Sequence, residues 1–290
     1  MKCCPALITA TLAALAMLAM VATPPTLAAG RPVTIDVGVV AGDAAIACDG
    51  PGVAVGTPPV AVALRDARFY LHDIAIVTDD GRILPLHIDE TVWQHDGVVL
   101  IDAEDATAGC RDGTPDTNPR ITGRIDGAAG PGPWRLAFTL GVPERLNHTA
   151  TDLSPPPLDL AALGWGWQAG RKYLKLEVMP EGGIARPDGG RAATWFLHLG
   201  ATGCTGNPVT GEIVTCARPN RTRIVTAPID PARQRLVLDL DRLFAATNLA
   251  RDQGGAVGCM SAPDDPDCPA VFATLGLDGG AGGAFRVVDK

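Results

Sequence analysis

The sequence is short of the features that mark most enzymes and nucleic-acid binders. It contains no G-x-S-x-G, no H-E-x-x-H and no P-loop segment, which removes the commonest hydrolase, zinc-protease and nucleotide-binding readings. Basic charge is scarce. The 24 Lys and Arg stand against 32 Asp and Glu, for a net charge of −8, so an electrostatic footprint for nucleic acid or an anionic membrane is missing. Helical periodicity is rare, and after the first 28 residues no apolar run is long enough to span a bilayer. Histidines number only five and aromatic residues are 4% of the chain, so each one carries more information than usual. Disorder is excluded as the general state, because hydrophobic residues make up 47%.

What is present begins with a targeting pattern. Residues 1–28 have one early basic residue, Lys2, then an apolar stretch from Ala6 to Ala22, then a small-residue site ending at Ala28. This reads as a secretory signal peptide, leaving a single domain over 29–290 in a periplasmic or secreted location. Removal of the signal takes Cys3 and Cys4 with it. The six remaining cysteines, Cys48, Cys110, Cys204, Cys216, Cys259 and Cys268, suit three disulfides in an oxidising compartment. Local pairing favours Cys204–Cys216 and Cys259–Cys268, leaving Cys48–Cys110. In the chain-entropy account each short loop contributes roughly 3 kcal/mol and the long one about 4. A zinc site is the weaker alternative, because no spacing is C-x₂-C.

Alternating apolar residues predict strands at Val33–Val39, Trp134–Leu140, Leu174–Val178, Trp195–Leu199 and Leu236–Leu240. Residues 60–77 are apolar on both faces after Asp66, as in a strand buried on both sides. Asp79-Asp80-Gly81 predicts a hairpin turn after it. Leu158–Leu163 and Arg242–Asn248 read as short helices, and the Gly-, Pro-, Asp- or Thr-rich segments 111–133, 149–157 and 180–192 as loops. The expected fold is mainly β, a single-domain antiparallel β-sandwich with long loops and a few short helices.

Four site candidates follow from residue chemistry. His72 lies inside the apolar strand, where its plain reading is a hydrogen-bonded core residue. His148 ends the stretch LAFTLGVPERLNH, and His198 points with Phe196 away from Trp195 and Leu197. Two imidazoles converging from β elements suit copper or zinc. Trp165-Gly166-Trp167 is an unusual cluster, read either as packing or as a platform for stacking on a sugar or peptide. Indole has an N–H donor and no lone pair, so an unmodified tryptophan is no metal ligand. Asp264, Asp265 and Asp267 lack the ligand order of an EF-hand and read as a solvated acidic loop. Asn147-His148-Thr149 and Asn220-Arg221-Thr222 match the glycosylation sequon, which matters only in a host that glycosylates.

Several stretches, in order, resemble the MbnP-like family, the four-Cys partner of a "metallo-mystery pair". They are RFYLHDI (Arg68–Ile74), Val92-Trp93-Gln94, VLID (Val99–Asp102), Gly109-Cys110, GVPERLNH (Gly141–His148), GWGWQAGRKYLKLE (Gly164–Glu177), HLGATGC (His198–Cys204), TCARPNR (Thr215–Arg221) and CMSAPDDPDCPAVF (Cys259–Phe272). The resemblance implies an exported, non-enzymatic copper-binding protein, with copper as Cu(I) held by two histidines and a tryptophan oxidised to kynurenine. It also implies a di-haem MauG-like partner that performs the oxidation. Ring opening gives an aromatic amine and a ketone, and so supplies the lone pair that indole lacks. By position in the motifs, the resemblance assigns His148 and His198 as the histidine ligands and Trp93 as the kynurenine. His72 departs from the family pattern and is a minor candidate for an added ligand. The alternative is a secreted β-sandwich recognition module that stacks ligands on Trp165 and Trp167.

Overall fold

A computed structural model describes residue 1 and residues 30–290, apart from 112, 127–128, 131, 167–169, 208–211 and 281. The signal segment 1–28 and Trp167 therefore lie outside the described residues, apart from Met1. The organising element is the 18-residue strand Val60–Val77. Its centre, Phe69-Tyr70-Leu71, is fully buried, as the two-sided apolar pattern predicts. It pairs in turn with Val53–Val55, Leu174–Pro180, Val98–Asp102, Trp134–Leu140 and Ile83–Ile88. One strand serves this many partners because it bends. Asp73 adopts φ +50°, and the register against Trp134–Leu140 shifts between His72 and Ala75. An irregularity of this kind lets a strand turn a corner from one sheet layer to another.

On one side of this strand the order runs through Leu174–Pro180 and Trp195–Leu199 to Gly258–Cys259. On the other it runs through Ile83–Ile88, Arg120–Ile125, Arg31–Ala41 and Gln234–Asp239 to Phe285–Asp289. The curled sheet closes over a core that includes Ile35, Phe69, Leu71, Phe138, Leu176, Leu197 and Leu236. Phe285, from the far edge, sets its ring edge-on to Phe69 and Phe138 at 5.6 and 5.4 Å between centroids. Such pairs add to the area buried. The mainly β, single-domain expectation holds, and so do all three disulfides: Cys48–Cys110, Cys204–Cys216 and Cys259–Cys268.

Several local expectations need correction. Among the described strands, pairing is antiparallel except where Arg31–Ala41 meets Gln234–Asp239 and Trp195–Leu199 meets Gly258–Cys259, both parallel; an isolated bridge, Ala185 to Arg251, is parallel too. The segment 111–133 holds a full strand, Arg120–Ile125, with Ile121, Gly123 and Ile125 turned inward. Its Arg and Thr residues face outward and disguise the alternation. Residues 158–163 form only a 3-10 turn, Ala161–Leu163. The predicted Arg242–Asn248 helix is Leu240–Leu243, started earlier because the Asp239 carboxylate accepts from the Asp241 N–H. A helix at Cys268–Leu275, ended by Gly276 at φ +77°, was not expected. No helix among the described residues is long and apolar enough to cross a membrane.

Candidate metal centre

His148 follows a single helical turn, Glu144–Asn147, and is positioned by its neighbour. Asn147 is 1% exposed, and its side-chain oxygen accepts from the Arg171 backbone N–H at 2.9 Å. That orientation sends the Asn147 amide N–H towards His148 Nε2, 3.0 Å away. An amide N–H can only donate, so Nε2 carries the lone pair and Nδ1 the proton. Beneath this pair lies the buried Arg171 guanidinium. It donates to Leu146 O, Asn147 O, Leu158 O (twice) and Ser154 Oγ. All five of its N–H donors are used with no carboxylate in contact. Four of the five bonds go to main-chain carbonyls, so the cation acts as a staple for the loop that carries His148. His148 Nε2 also lies 3.3 Å from Cys216 Sγ and 3.7 Å from Glu144 Oε1.

His198 is held by different means. It lies on Trp195–Leu199, opposite Lys175, on the face away from the core together with Phe196 (ring centroids 5.4 Å apart). It is 8% exposed. Its Nε2 meets Glu177 Oε1 at 2.9 Å. Lys175 lies 3.1 Å from the same oxygen, and Arg65 lies 3.2 Å from Oε2. Burial pushes the Glu177 carboxyl up, but the hydrogen bond from His198 and the Lys175 charge outweigh it and hold the group at about 2. Burial lowers the His198 imidazole, with Lys172 and Lys175 pushing the same way, against the Glu177 hydrogen bond and charge. The result is a neutral ring that donates from Nε2 to a carboxylate and keeps its lone pair on Nδ1. Carboxylate-oriented imidazoles of this kind are a common arrangement behind metal ligands. The charged network continues through Asp66, which Lys175 and Arg68 both grip, to Glu104, 3.8 Å from Arg68.

Trp165 and its strand partner Gly170 lie beside both neighbourhoods. Gly164–Trp165 pairs with Gly170–Arg171 as a small hairpin, and Trp165 is 7% exposed. A Cβ on Gly170 would sit 3.3 Å from His148 Cε1 and as close to the Asn147 amide. Across the pair from Gly170 stands Trp165, and a Cβ on Gly200 would fall 2.5 Å from its ring. Only glycine admits that approach, two residues beyond His198. Trp93 lies on another turn, with its N–H to Thr91 Oγ1 and its carbonyl accepting from Leu100 N, and Arg145 of the His148 helix donates to Asp96 of that turn. The burial of Trp165 argues against its use as an exposed stacking platform.

His72 is a poor candidate for an added ligand. It is 6% exposed, and neither ring nitrogen has a hydrogen bond. Nδ1 is 2.9 Å from Asp73 Oδ2 but misaligned for one. Burial, with Arg221 and Arg223 acting in the same direction against Asp73, holds the ring neutral. Those two guanidinium groups also repel a metal cation. His87 and His95 are exposed beside Asp126 and Glu90. Two groups of possible donors lie within 4.8 Å among the described residues: His148 with Cys204 and Cys216, and Asp265 with Cys259 and Cys268. All four sulfurs are in disulfides, so neither group offers a thiolate as it stands.

The donors that remain, two imidazoles with lone pairs oriented by their hydrogen-bond partners, fit a soft or borderline metal ion such as copper. Sequence reasoning missed Asn147, Arg171 and Glu177, the residues that define those lone pairs. Their only signal was that each sits inside a stretch carrying the family resemblance. The comparisons with known proteins now bear on that resemblance. No curated protein matches the chain. The solved structure of MbnP from Methylosinus trichosporium is similar, with a TM-score of 0.78 and 34% identity, covering 90% of this chain and 99% of that one. The MbnP family model matches residues 30–261, which contain both histidines and their supporting residues. By sequence and by fold alike, the chain belongs to the MbnP family.

Proposed function

We propose that this is an exported, non-enzymatic copper-binding protein that holds Cu(I) through His148 Nε2, His198 Nδ1 and an oxidised tryptophan. The oxidant is a di-haem MauG-like partner. The reading moves the modified residue from Trp93 to Trp165, and a single observation carries that choice. The Gly164–Arg171 hairpin packs on His148 at Gly170 and on the chain just past His198 at Gly200. When bound, copper would supply a soft metal centre held by the two imidazoles and the modified residue. The chain's own residues do the rest. Glu177 and Asn147 fix which ring nitrogen offers a lone pair, and Arg171 keeps the His148 loop in place. The Asn147 N–H must release Nε2 before a metal binds there.

The test is peptide mapping and copper analysis of protein produced with and without the partner. Oxidation should add about 4 mass units, one carbon lost and one oxygen gained, at Trp165, and only that protein should retain copper near one equivalent. Stoichiometric copper binding by a disulfide-intact Trp165→Phe variant with no modified tryptophan would refute the reading. A mass shift at Trp93 or Trp167 would refute the residue assignment alone.

A further inference from the structure

The Cys204–Cys216 disulfide differs in kind from the other two. Cys48, Cys110, Cys259 and Cys268 are buried, whereas Cys204 and Cys216 are half-exposed. They face each other directly across the paired strands Thr202–Asn207 and Glu212–Arg218, with Cα atoms 3.8 Å apart. The hairpin therefore keeps the two sulfurs adjacent whether or not they are bonded. Beside them His148 Nε2 stands 3.3 Å from Cys216 Sγ, and a His148 ring nitrogen and both sulfurs fall within 4.8 Å of one another. The Asn147 amide orients the Nε2 lone pair, as described above.

We propose that Cys204, Cys216 and His148 form a second, redox-gated site for Cu(I), closed in the disulfide state and opened by reduction. The reductant is a dithiol donor of the thioredoxin class. Its thiolate attacks one sulfur of the pair and breaks the S–S bond, giving a mixed disulfide and a Cys thiolate. Its second thiol then attacks that mixed disulfide, so the donor leaves as its own disulfide. Two electrons and two protons pass from donor to protein, leaving two thiols. Cu(I) binding displaces both thiol protons and leaves a thiolate–thiolate–imidazole donor set, which is softer than two imidazoles and suited to this ion. The site shares His148 with the one proposed above but needs neither His198 nor a modified tryptophan.

The experiment uses the purified chain with its tryptophans verified unmodified by mass, so that the oxidised-tryptophan site is absent. Samples with and without prior dithiothreitol treatment are titrated with Cu(I) against bicinchoninate under anaerobic conditions. Mild reduction should free two thiols, mapped by alkylation to Cys204 and Cys216. It should also raise Cu(I) affinity by about a hundredfold, with thiolate-to-metal absorbance in the ultraviolet. The gain should vanish in the Cys204→Ser/Cys216→Ser variant and in reduced wild type alkylated at both thiols. In His148→Ala the gain should fall by about tenfold or more while the thiols stay titratable. Three outcomes each overturn the proposal: no gain on reduction, a gain that survives alkylation, or prior opening of Cys48–Cys110 or Cys259–Cys268. None of them touches the oxidised-tryptophan reading, which is tested with the Cys204–Cys216 disulfide closed.

Discussion

The two imidazoles of the candidate centre are fixed by opposite physics. His148 is set by a neutral amide and, beneath it, by a buried cation whose partners are almost all main-chain carbonyls. His198 is set by an ionised carboxylate inside a chain of buried charges. The first arrangement rests on an amide that does not titrate. The second ties the orientation of His198 to the protonation of Glu177.

The contrast breaks most severely at Arg171. Arg171→Met leaves carbonyls at Leu146, Asn147 and Leu158 without their donors. Unfolding free energy should drop by about 3–5 kcal/mol, since each orphaned buried group costs on the order of 1–3. Denaturant titration at two pH values checks this, and the loss should be the same at pH 5 and pH 8. At Glu177 the loss should instead depend on pH. The Glu177 carboxyl is held at about 2 in the fold, below its ordinary value. Its contribution is therefore complete above about pH 4.5 and fades as the pH falls towards 2. Glu177→Gln should cost about 2–3 kcal/mol at neutral pH, with the gap to wild type closing across that acid window.

A smaller effect of opposite sign is expected at Asp102, buried near Arg68. Burial pushes its carboxyl up to about 7, with Glu104 and Asp66 adding to the rise against the Glu104 N–H and Arg68. The folded state binds the proton more tightly than the unfolded one, so stability falls from about pH 4 to pH 7 and then levels off. Asp102→Asn keeps an oxygen for the Glu104 N–H and should stabilise the protein by about 1–2 kcal/mol at pH 8, with no gain at pH 4. The smallest change in stability belongs to Asn147→Asp, about 1 kcal/mol or less. Its oxygen still accepts from Arg171, but a carboxylate oxygen now faces His148 Nε2. The imidazole should flip to the Nε2–H tautomer, visible in ring-nitrogen chemical shifts. An unchanged tautomer would show that the amide does not set it.

The strands were legible because their side chains report burial directly. Phe69-Tyr70-Leu71 and the alternation of Leu174, Leu176 and Val178 needed no knowledge of partners. Arg120–Ile125 hid because Gly123 contributes no apolar side chain to its inward face. Cys268–Leu275 hid because a proline follows its first residue, although proline suits the first turn of a helix. The proposed histidine ligands were legible only through the family resemblance. The residues that support them were not, since Arg171 and Asn147 are 24 positions apart, and Glu177 reads as an ordinary strand-face acid until His198 is laid beside it. The choice among tryptophans turned on Gly170 and Gly200, whose close contacts no spacing rule reveals.

The corner strand Val60–Val77 also sets a constraint in time. A chain that emerges N-terminus first, from a ribosome or a translocation pore, presents this strand early. Its partner Leu174–Pro180 follows only about a hundred residues later. Val53–Val55 is already made, and Ile83–Ile88 and Val98–Asp102 return promptly, covering Val60–Val62, Ala75–Val77 and Arg68–His72. The edge over Val62–Phe69 that Leu174–Pro180 will take stays open until then, and any other strand can template on it. The feature that joins the two layers of the finished molecule is thus the stretch most in need of a holding chaperone while the molecule is being made.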